Sequence, residues 1–321
     1  MRFAACFFFA FAALAAPAPQ IYSMAWRPDG AAIALGGYKE TRLIDAASAA
    51  APASEKVKPI ATLAGHADAV RALAFSRDGK LLAAAGGLPA RKGEVKIWDV
   101  AARTVTLTIA GHADCIYAVA FSPDGKSLAT ASYDKLIKLW DAATGKEIRT
   151  LRDHVDSVYA LAFTPDGKRL VSGAADRSVK IWDVATGEKI YTLSDPTDGI
   201  NTIALSPDGQ RVAAGGLDKT IRIWRLAAKE GTLEHTLIAH EDAILRLAWS
   251  PNAQYLASAS ADRTVKLFRA ADLSEIRAMA KQPDWAFGLE FAPNGNSLAA
   301  AFFNGALEFY EVDHEKVLAA K

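Results

Sequence analysis

Apolar and polar positions fall into short runs of five or six residues separated by tight polar turns. "IYAVAF" at 116–121 and "SLATAS" at 127–132 are typical. The turn between such runs recurs seven times: "RPDG" 27–30, "SRDG" 76–79, "SPDG" 122–125, "TPDG" 164–167, "SPDG" 206–209, "SPNA" 250–253 and "APNG" 292–295. A large apolar residue precedes each: Trp26, Phe75, Phe121, Phe163, Leu205, Trp249 and Phe291, at spacings of 49, 46, 42, 42, 44 and 42 residues. Proline presets φ for the first corner of a tight turn, Asp bonds its own backbone, and Gly takes the φ > 0 position. The flanking runs therefore predict strands joined by hairpins.

Each unit reads as strand, hairpin, strand, Asp-containing turn, strand ending in a "IWD"-like sequence, loop, strand. In the third unit the predicted strands are 116–121, 127–131, 136–141 and 147–151. Four short antiparallel strands in a repeat of about 42 residues are the signature of a propeller blade. Seven units fill residues 19–321 and leave no room for a second domain. The predicted fold is all-β: a single seven-bladed β-propeller of four-stranded antiparallel blades, each from one continuous segment. Blade 1 begins near Ile21, and Lys316 to Lys321 align with an outer strand. The ring is thus expected to close by packing of blade 1 on blade 7, not by an exchanged strand.

The first residues break the pattern. Arg2 precedes an unbroken apolar run from Phe3 to Ala16, followed by small residues with Ala13-Leu14-Ala15 in an A-x-A arrangement. That order predicts a secretory signal peptide over 1–18, cleaved near Ala15. The run is shorter than the roughly 17–25 residues of a membrane span. The expectations are a periplasmic or secreted protein and no membrane span after signal removal; a Met1 start in the native protein would instead indicate an intracellular scaffold. Cys6 falls within the signal, which leaves Cys115 alone and the mature chain without an internal disulfide.

Charge narrows the classes of partner. The 37 Lys and Arg nearly cancel the 36 Asp and Glu. No global attraction to nucleic acid or to an acidic membrane follows from such a balance.

The repeats resemble the WD-repeat family. The resemblance rests on Gly65-His66, Gly111-His112, Asp153-His154 and Ala239-His240 ahead of first strands. It rests equally on Trp98-Asp99, Trp140-Asp141 and Trp182-Asp183 at the ends of third strands, and it extends over about 21–321. The resemblance implies a buried hydrogen-bonded set of His, strand Ser or Thr, turn Asp and Trp. By position, His112, Ser132, Asp134 and Trp140 complete it in blade 3. Blade 4 has His154, Asp176 and Trp182, with Ala174 in the serine position; blade 6 has His240, Ser260 and Asp262, with Phe268 for Trp. Blade 5 keeps Asp218 and Trp224 but has Pro196 for His. Blade 2 keeps His66 and Trp98 without a turn Asp. Blades 1 and 7 carry Ile44 and Tyr310 in the Trp position.

An Asp–His–Ser arrangement at 134–112–132 invites comparison with nucleophilic catalysis. Its recurrence in damaged form around the ring, behind a Trp, points instead to a structural role. The six histidines are spread over separate blades, no phosphate-cradling Gly loop is present, and no C-x-x-C-H supports covalent haem. No metal or cofactor is expected. A propeller hydrolase or lactonase, the alternative class, needs a convergent acidic, His or metal cluster at the channel mouth, and the sequence supplies none.

Surface features remain. From the residue ending strand one to the Trp position, blades 3 to 7 all measure 19 residues, whereas blade 2 measures 23. "LPARKGE" is therefore a four-residue extension with Arg91 and Lys92 expected at its tip, either a contact element or tolerated drift. The second residues of the inner strands read Tyr22, Arg71, Tyr117, Tyr159, Asn201, Leu245 and Phe287. They are expected near the channel mouth on the same rim, where Tyr and Arg either anchor a partner or plug the channel. On the opposite rim, the Ala/Ser/Pro-rich loop 46–57 reads as an excursion. The expected function is a non-enzymatic, monomeric scaffold that binds a protein or peptide partner. "AGGLPARKGEVKIWDV" also resembles a stretch of bacterial exported WD-repeat proteins that accompany cytochrome-c-like domains, which implies at most an accessory role beside a redox complex.

Overall fold

The computed structural model describes residues 19–49, 59–279 and 281–312. The expected signal peptide 1–18, most of the loop 46–57 and the closing segment Lys316 to Lys321 lie outside these residues.

The described residues form antiparallel sheets whose strands follow chain order. Sheet 1 holds Ser23–Trp26, Ala32–Gly36, Tyr38–Asp45 and the first part of Pro59–Phe75. The rest of that long strand is the inner strand of sheet 2, followed by Leu81–Leu88, Lys92–Asp99 and Thr104–His112. Sheet 3 comprises Ile116–Phe121, Ser127–Ser132, Ile137–Asp141 and Glu147–Leu151, close to the ranges read from the sequence. Sheets 4, 5 and 6 repeat the arrangement from the inner strands Val158–Phe163, Ile200–Leu205 and Ile244–Trp249. Sheet 7 shows Ala286–Phe291, Ser297–Phe302 and Leu307–Glu311. One short helix, Ala46–Ala49, follows sheet 1's third strand. No helix among the described residues is long and apolar enough to cross a membrane. This is an all-β propeller built from repeats.

Second strands are rich in alanine because both of their faces are covered. Ala83, Ala84, Ala129, Ala131, Ala257, Ala259, Ala299 and Ala301 are fully buried. Neighbouring sheets pack face to face near the axis, where only small side chains fit. Each hydrophobic cluster draws on adjacent sheets. One joins Leu139, Val158 and Trp182 of sheets 3 and 4. Another joins Trp26, Ile33 and Ile44 of sheet 1 to Ala292, Ala299 and Phe309 of sheet 7.

The recurring turns hold themselves by local bonds. Gly125 has φ 71° and its N–H donates to the Ser122 carbonyl at 2.8 Å. Ser122 Oγ donates to Asp124 Oδ1 at 2.6 Å, and the Lys126 N–H donates to the same oxygen at 3.0 Å. Turns also stack. A methyl on Gly167 would lie 3.5 Å from Pro123 of the preceding sheet, and one on Gly295 would lie 3.7 Å from Pro251. The same relation places Gly30 of sheet 1 beside Pro293 of sheet 7, at 3.9 Å. Gly209 has a φ of 68°, and a methyl added there would clash with the Pro165 ring. Gly209→Ala is expected to cost about 2 kcal/mol, from left-handed strain plus a clash, in denaturant unfolding.

Candidate functional site

The buried histidine sets come first, because they determine which polar groups are already spoken for. In sheet 3, His112 Nδ1 lies 2.9 Å from Asp134 Oδ2, and Nε2 lies 2.7 Å from Thr130 Oγ1. The Trp140 indole N–H donates to that hydroxyl at 2.8 Å. The Ala113 N–H donates to Asp134 at 2.9 Å. The bonds run in one direction: indole to hydroxyl, hydroxyl to Nε2, and Nδ1–H to carboxylate. Sheet 4 repeats the set with His154, Asp176, Ser172 and Trp182, each link at 2.8 Å. In sheet 6, His240 meets Asp262 at 3.1 Å, Thr264 at 2.9 Å and Ser258 at 2.6 Å. Burial works against the charges of Asp134, Asp176 and Asp262, yet bonds from the histidines, hydroxyls and backbone amides hold all three below the ordinary carboxylate value.

These distances correct the expected strand position. The hydroxyl belongs to Thr130, Ser172 and Ser258, two residues before Ser132, Ala174 and Ser260. Side chains two apart share a sheet face and differ only in depth. Ser132 Oγ donates to the Asp114 carbonyl at 3.1 Å and Ser260 Oγ to the Asp242 carbonyl at 3.0 Å, so both tie the loop into the inner strand. Sheet 4 is therefore complete despite Ala174. The hydroxyl of the set is buried and its oxygen already accepts an indole proton, an arrangement for stapling strands and not for attacking a substrate.

The other sheets solve the same problem with different residues. In sheet 2, Glu94 from the third strand replaces the missing turn Asp and accepts the Ala67 N–H at 2.9 Å. Glu94 Oε1 stands 3.5 Å from His66 Nδ1. Ala84 occupies the hydroxyl position, and both His66 ring nitrogens and Trp98 Nε1 have no hydrogen-bond partner. Burial pushes the His66 imidazole down to about 4 against the opposing pull of Glu94. In sheet 5, Trp224 Nε1 donates to Asp195 at 2.8 Å, while Asp218 pairs with Arg222 at 2.5 Å. In sheet 7, Gln282 stands for His, and the Tyr310 hydroxyl bonds to it at 2.6 Å. Restoring the missing hydroxyl should help sheet 2. Ala84→Ser is expected to add roughly 1 kcal/mol of stability, by accepting from the orphaned Trp98 indole and donating to the orphaned His66 Nε2. Guanidinium unfolding checks it, and no gain would contradict the assignment.

All seven second-position residues of the inner strands meet at one end of the channel. Tyr22, Arg71, Tyr117, Tyr159, Asn201, Leu245 and Phe287 line a cavity of about 320 Å³, joined by Arg246. The Arg71 guanidinium lies 5.9 Å from the Tyr22 ring centroid and 5.3 Å from that of Tyr117. Tyr117 meets Tyr159 edge-on at 5.2 Å. On the other side Tyr22 meets Phe303 at 5.5 Å, and Phe303 meets Phe287 at 5.8 Å. The result is an arc of rings, with Arg71 set between two of them.

Two channel residues lay outside the sequence reading. At the third position the other inner strands carry Ser23, Ala72, Ala118, Ala160, Thr202 and Gly288, whereas sheet 6 has Arg246. At the fifth position six alanines face Glu290 in sheet 7. Alignment of the seven inner strands against each other would have exposed both. Arg246 donates from Nε to the Phe287 carbonyl at 2.8 Å and from Nη1 to the Leu245 carbonyl at 2.9 Å. Burial lowers its guanidinium to about 10. Glu290 accepts the Trp26 N–H at 2.8 Å, and burial pushes its carboxyl up to about 7. Both line the larger channel cavity of about 670 Å³, which reaches Pro28, Pro207, Pro251 and Pro293 at the opposite mouth.

The sheet 2 extension lies on the same rim as the aromatic arc. It lengthens a hairpin instead of forming an open loop: Gly86 pairs with Glu94, Gly87 with Gly93 and Leu88 with Lys92. The Arg91 N–H closes the turn on the Leu88 carbonyl at 3.1 Å, and Ala90 takes φ 53°. The Ala90 N–H donates to Asp114 of the adjacent entry loop at 2.9 Å. Arg91 is at the exposed tip, as expected; Lys92 begins the next strand and points an exposed ammonium to within 3.8 Å of Glu94.

Comparison with known proteins agrees with this geometry. No curated protein matches the chain. Five segments, 57–99, 103–141, 145–183, 187–225 and 231–269, match the model of the WD domain, G-beta repeat. Each contains the third strand and Trp position of one of sheets 2 to 6, while the Trp positions of sheets 1 and 7, Ile44 and Tyr310, fall outside. With more than half of its length matched by repeats of that model, the chain belongs to the WD40 (WD domain, G-beta repeat) family.

Proposed function

We propose that this protein is an exported, non-enzymatic WD-repeat scaffold that binds a protein or peptide partner at the rim carrying Arg91, Lys92 and the aromatic arc. The observation that carries the reading is the convergence of Tyr22, Arg71, Tyr117, Tyr159 and Phe287 on one open mouth. Tyr and Arg concentrate binding energy at protein interfaces, since they bring large contact area with few rotatable bonds. The scaffold is a closed seven-bladed ring, each blade a continuous segment. The stacking of Gly30 on Pro293 supports that closure, because it repeats between sheets 1 and 7 the relation of Gly167 to Pro123 and of Gly295 to Pro251; the Trp26–Glu290 bond, peculiar to this pair of sheets, adds to it. The N-terminal charge and hydropathy pattern supports export to the periplasm or beyond. An accessory role beside a redox complex rests on the short resemblance at 85–100 alone. The scaffold acts as a monomer.

Affinity capture from the exported fraction tests the reading. Arg91→Glu combined with Lys92→Glu is expected to weaken retention of the captured partner at least fivefold with an unchanged melting temperature. Undiminished retention removes the hairpin tip from the interface. N-terminal sequencing of the native protein is expected to start after Ala15; a start at Met1 would refute export.

A further inference from the structure

The mouth has a chemical preference that its position alone does not reveal. Among the residues lining its cavity are two guanidinium groups, Arg71 and Arg246, and no carboxylate. Arg71 Nε is buried without a hydrogen-bond partner. Both bonds made by Arg246 go to backbone carbonyls, which leaves its charge uncompensated. The surrounding groups favour a carboxylate with an apolar flank. The Tyr117 and Tyr159 phenols, which burial raises further above their ordinary value, can donate, and Leu217, Leu245 and Phe287 complete the wall.

One step outward the charges change. Asp68, Asp114, Asp156, Asp198, Asp242 and Asp284 stand in the entry loops, each with Oδ1 on the following backbone N–H at 2.6 to 2.8 Å. None lines the cavity. Beside them, Lys39, Lys135, Arg177, Lys219 and Arg263 occupy left-handed turn positions at φ 61° to 73°. Lys135 and Lys219 reach across to the carbonyls of Val155 and Glu241, in the next sheet's entry loop. These outer charges nearly balance, so selection falls to the lining itself. Beyond the two arginines it is largely aromatic and aliphatic, so a run of acidic residues would bury carboxylates without partners, whereas a single acid between apolar neighbours meets the arginines.

We propose that the mouth takes an extended peptide segment of the partner carrying a single Asp or Glu between bulky apolar residues, the carboxylate held by Arg71 and Arg246 and the flanks lying on the aromatic arc. This rests on the peptide-binding reading above and names the segment it would select.

The probes are fluorescein-labelled, end-capped pentapeptides measured by fluorescence anisotropy against the full chain: Ala-Phe-Glu-Phe-Ala, its Gln counterpart, its phosphoserine counterpart and Glu-Glu-Glu-Glu-Glu. The single-Glu peptide is expected to bind at least tenfold tighter than the Gln form and the all-Glu form. Arg71→Gln should erase the Glu-over-Gln preference, and Arg71→Lys should keep part of it, both with unaltered far-ultraviolet dichroism and melting temperature. Arg246 also ties sheet 6 to sheet 7, so Arg71, which makes no hydrogen bond through Nε, carries the test. Equal binding of the Glu and Gln peptides overturns the proposal, as does a preference that survives Arg71→Gln. Tighter binding of the phosphoserine peptide than of the Glu peptide overturns it in favour of a phosphate site. If no pentapeptide binds while a captured partner is still released by Arg91→Glu with Lys92→Glu, the mouth assignment fails and the rim reading survives. If neither binds, both fall.

Discussion

Thr130→Val is expected to destabilise the folded protein by about 3 kcal/mol, because a buried donor or acceptor left without a partner costs about 1–3 kcal/mol and two are orphaned here. The valine keeps the shape but removes the oxygen that accepts from Trp140 Nε1 and faces His112 Nε2. Both partners are buried, so water cannot replace it. Ser132→Ala is the matched control. Its hydroxyl bonds the Asp114 carbonyl and accepts the Asp134 N–H at the edge of the same strand, and its loss should cost only about 1 kcal/mol. Chemical unfolding of the two variants distinguishes the depths. A larger loss from Ser132→Ala than from Thr130→Val would contradict the assigned set.

Acid should expose a second consequence of the buried groups. His66 titrates at about 4 in the folded protein and at 6.5 when unfolded. Between those values the unfolded chain binds a proton that the folded chain refuses, so stability falls as pH falls, by on the order of 3 kcal/mol in full. His240 is lowered by burial too and acts in the same direction. Glu290 acts oppositely. Its folded value of about 7 lies above the ordinary 4.5, so it contributes stability that is complete below 4.5 and lost as pH rises through 7. Two histidines, His66 and His240, act against this one carboxyl, so it offsets only part of the histidine loss. The wild-type protein should therefore weaken gently from pH 6.5 to 4.5. Glu290→Gln should weaken steeply over that window, and His66→Gln should weaken less than wild type. Below about 3.8 the depressed Asp134, Asp176 and Asp262 take up protons only on unfolding, which adds a further loss in every variant. Unfolding free energies at half-unit pH steps check these slopes; parallel curves for the three proteins would contradict the assignment.

Much of the architecture is legible in the chain because its punctuation is local. Pro, Asp and Gly at 123–125 specify a turn from three adjacent residues, and the strand ends on either side follow. The mouth is legible for the same reason: one position counted back from each turn picks out Tyr22, Arg71, Tyr117, Tyr159 and Phe287. The hydroxyl depth is not. Thr130 and Ser132 share a face, and only the reach of the His112 and Trp140 side chains decides between them. Glu94 escapes because it substitutes for a turn residue from a different strand, so the equivalence is spatial. Arg246 and Glu290 escape because their significance is a contrast with six neighbours, visible only when small residues at one depth are compared around the ring.

Hydrogen–deuterium exchange on the protein with and without its captured partner locates the binding face. Slowed exchange is expected in segments covering the mouth rim: the entry loops before Tyr117 and Tyr159, the hairpin 86–94 and the strand containing Phe287. Protection confined to the opposite rim, at 27–30, 76–79, 122–125 and 164–167, or along the outer strands, would contradict the mouth-rim assignment.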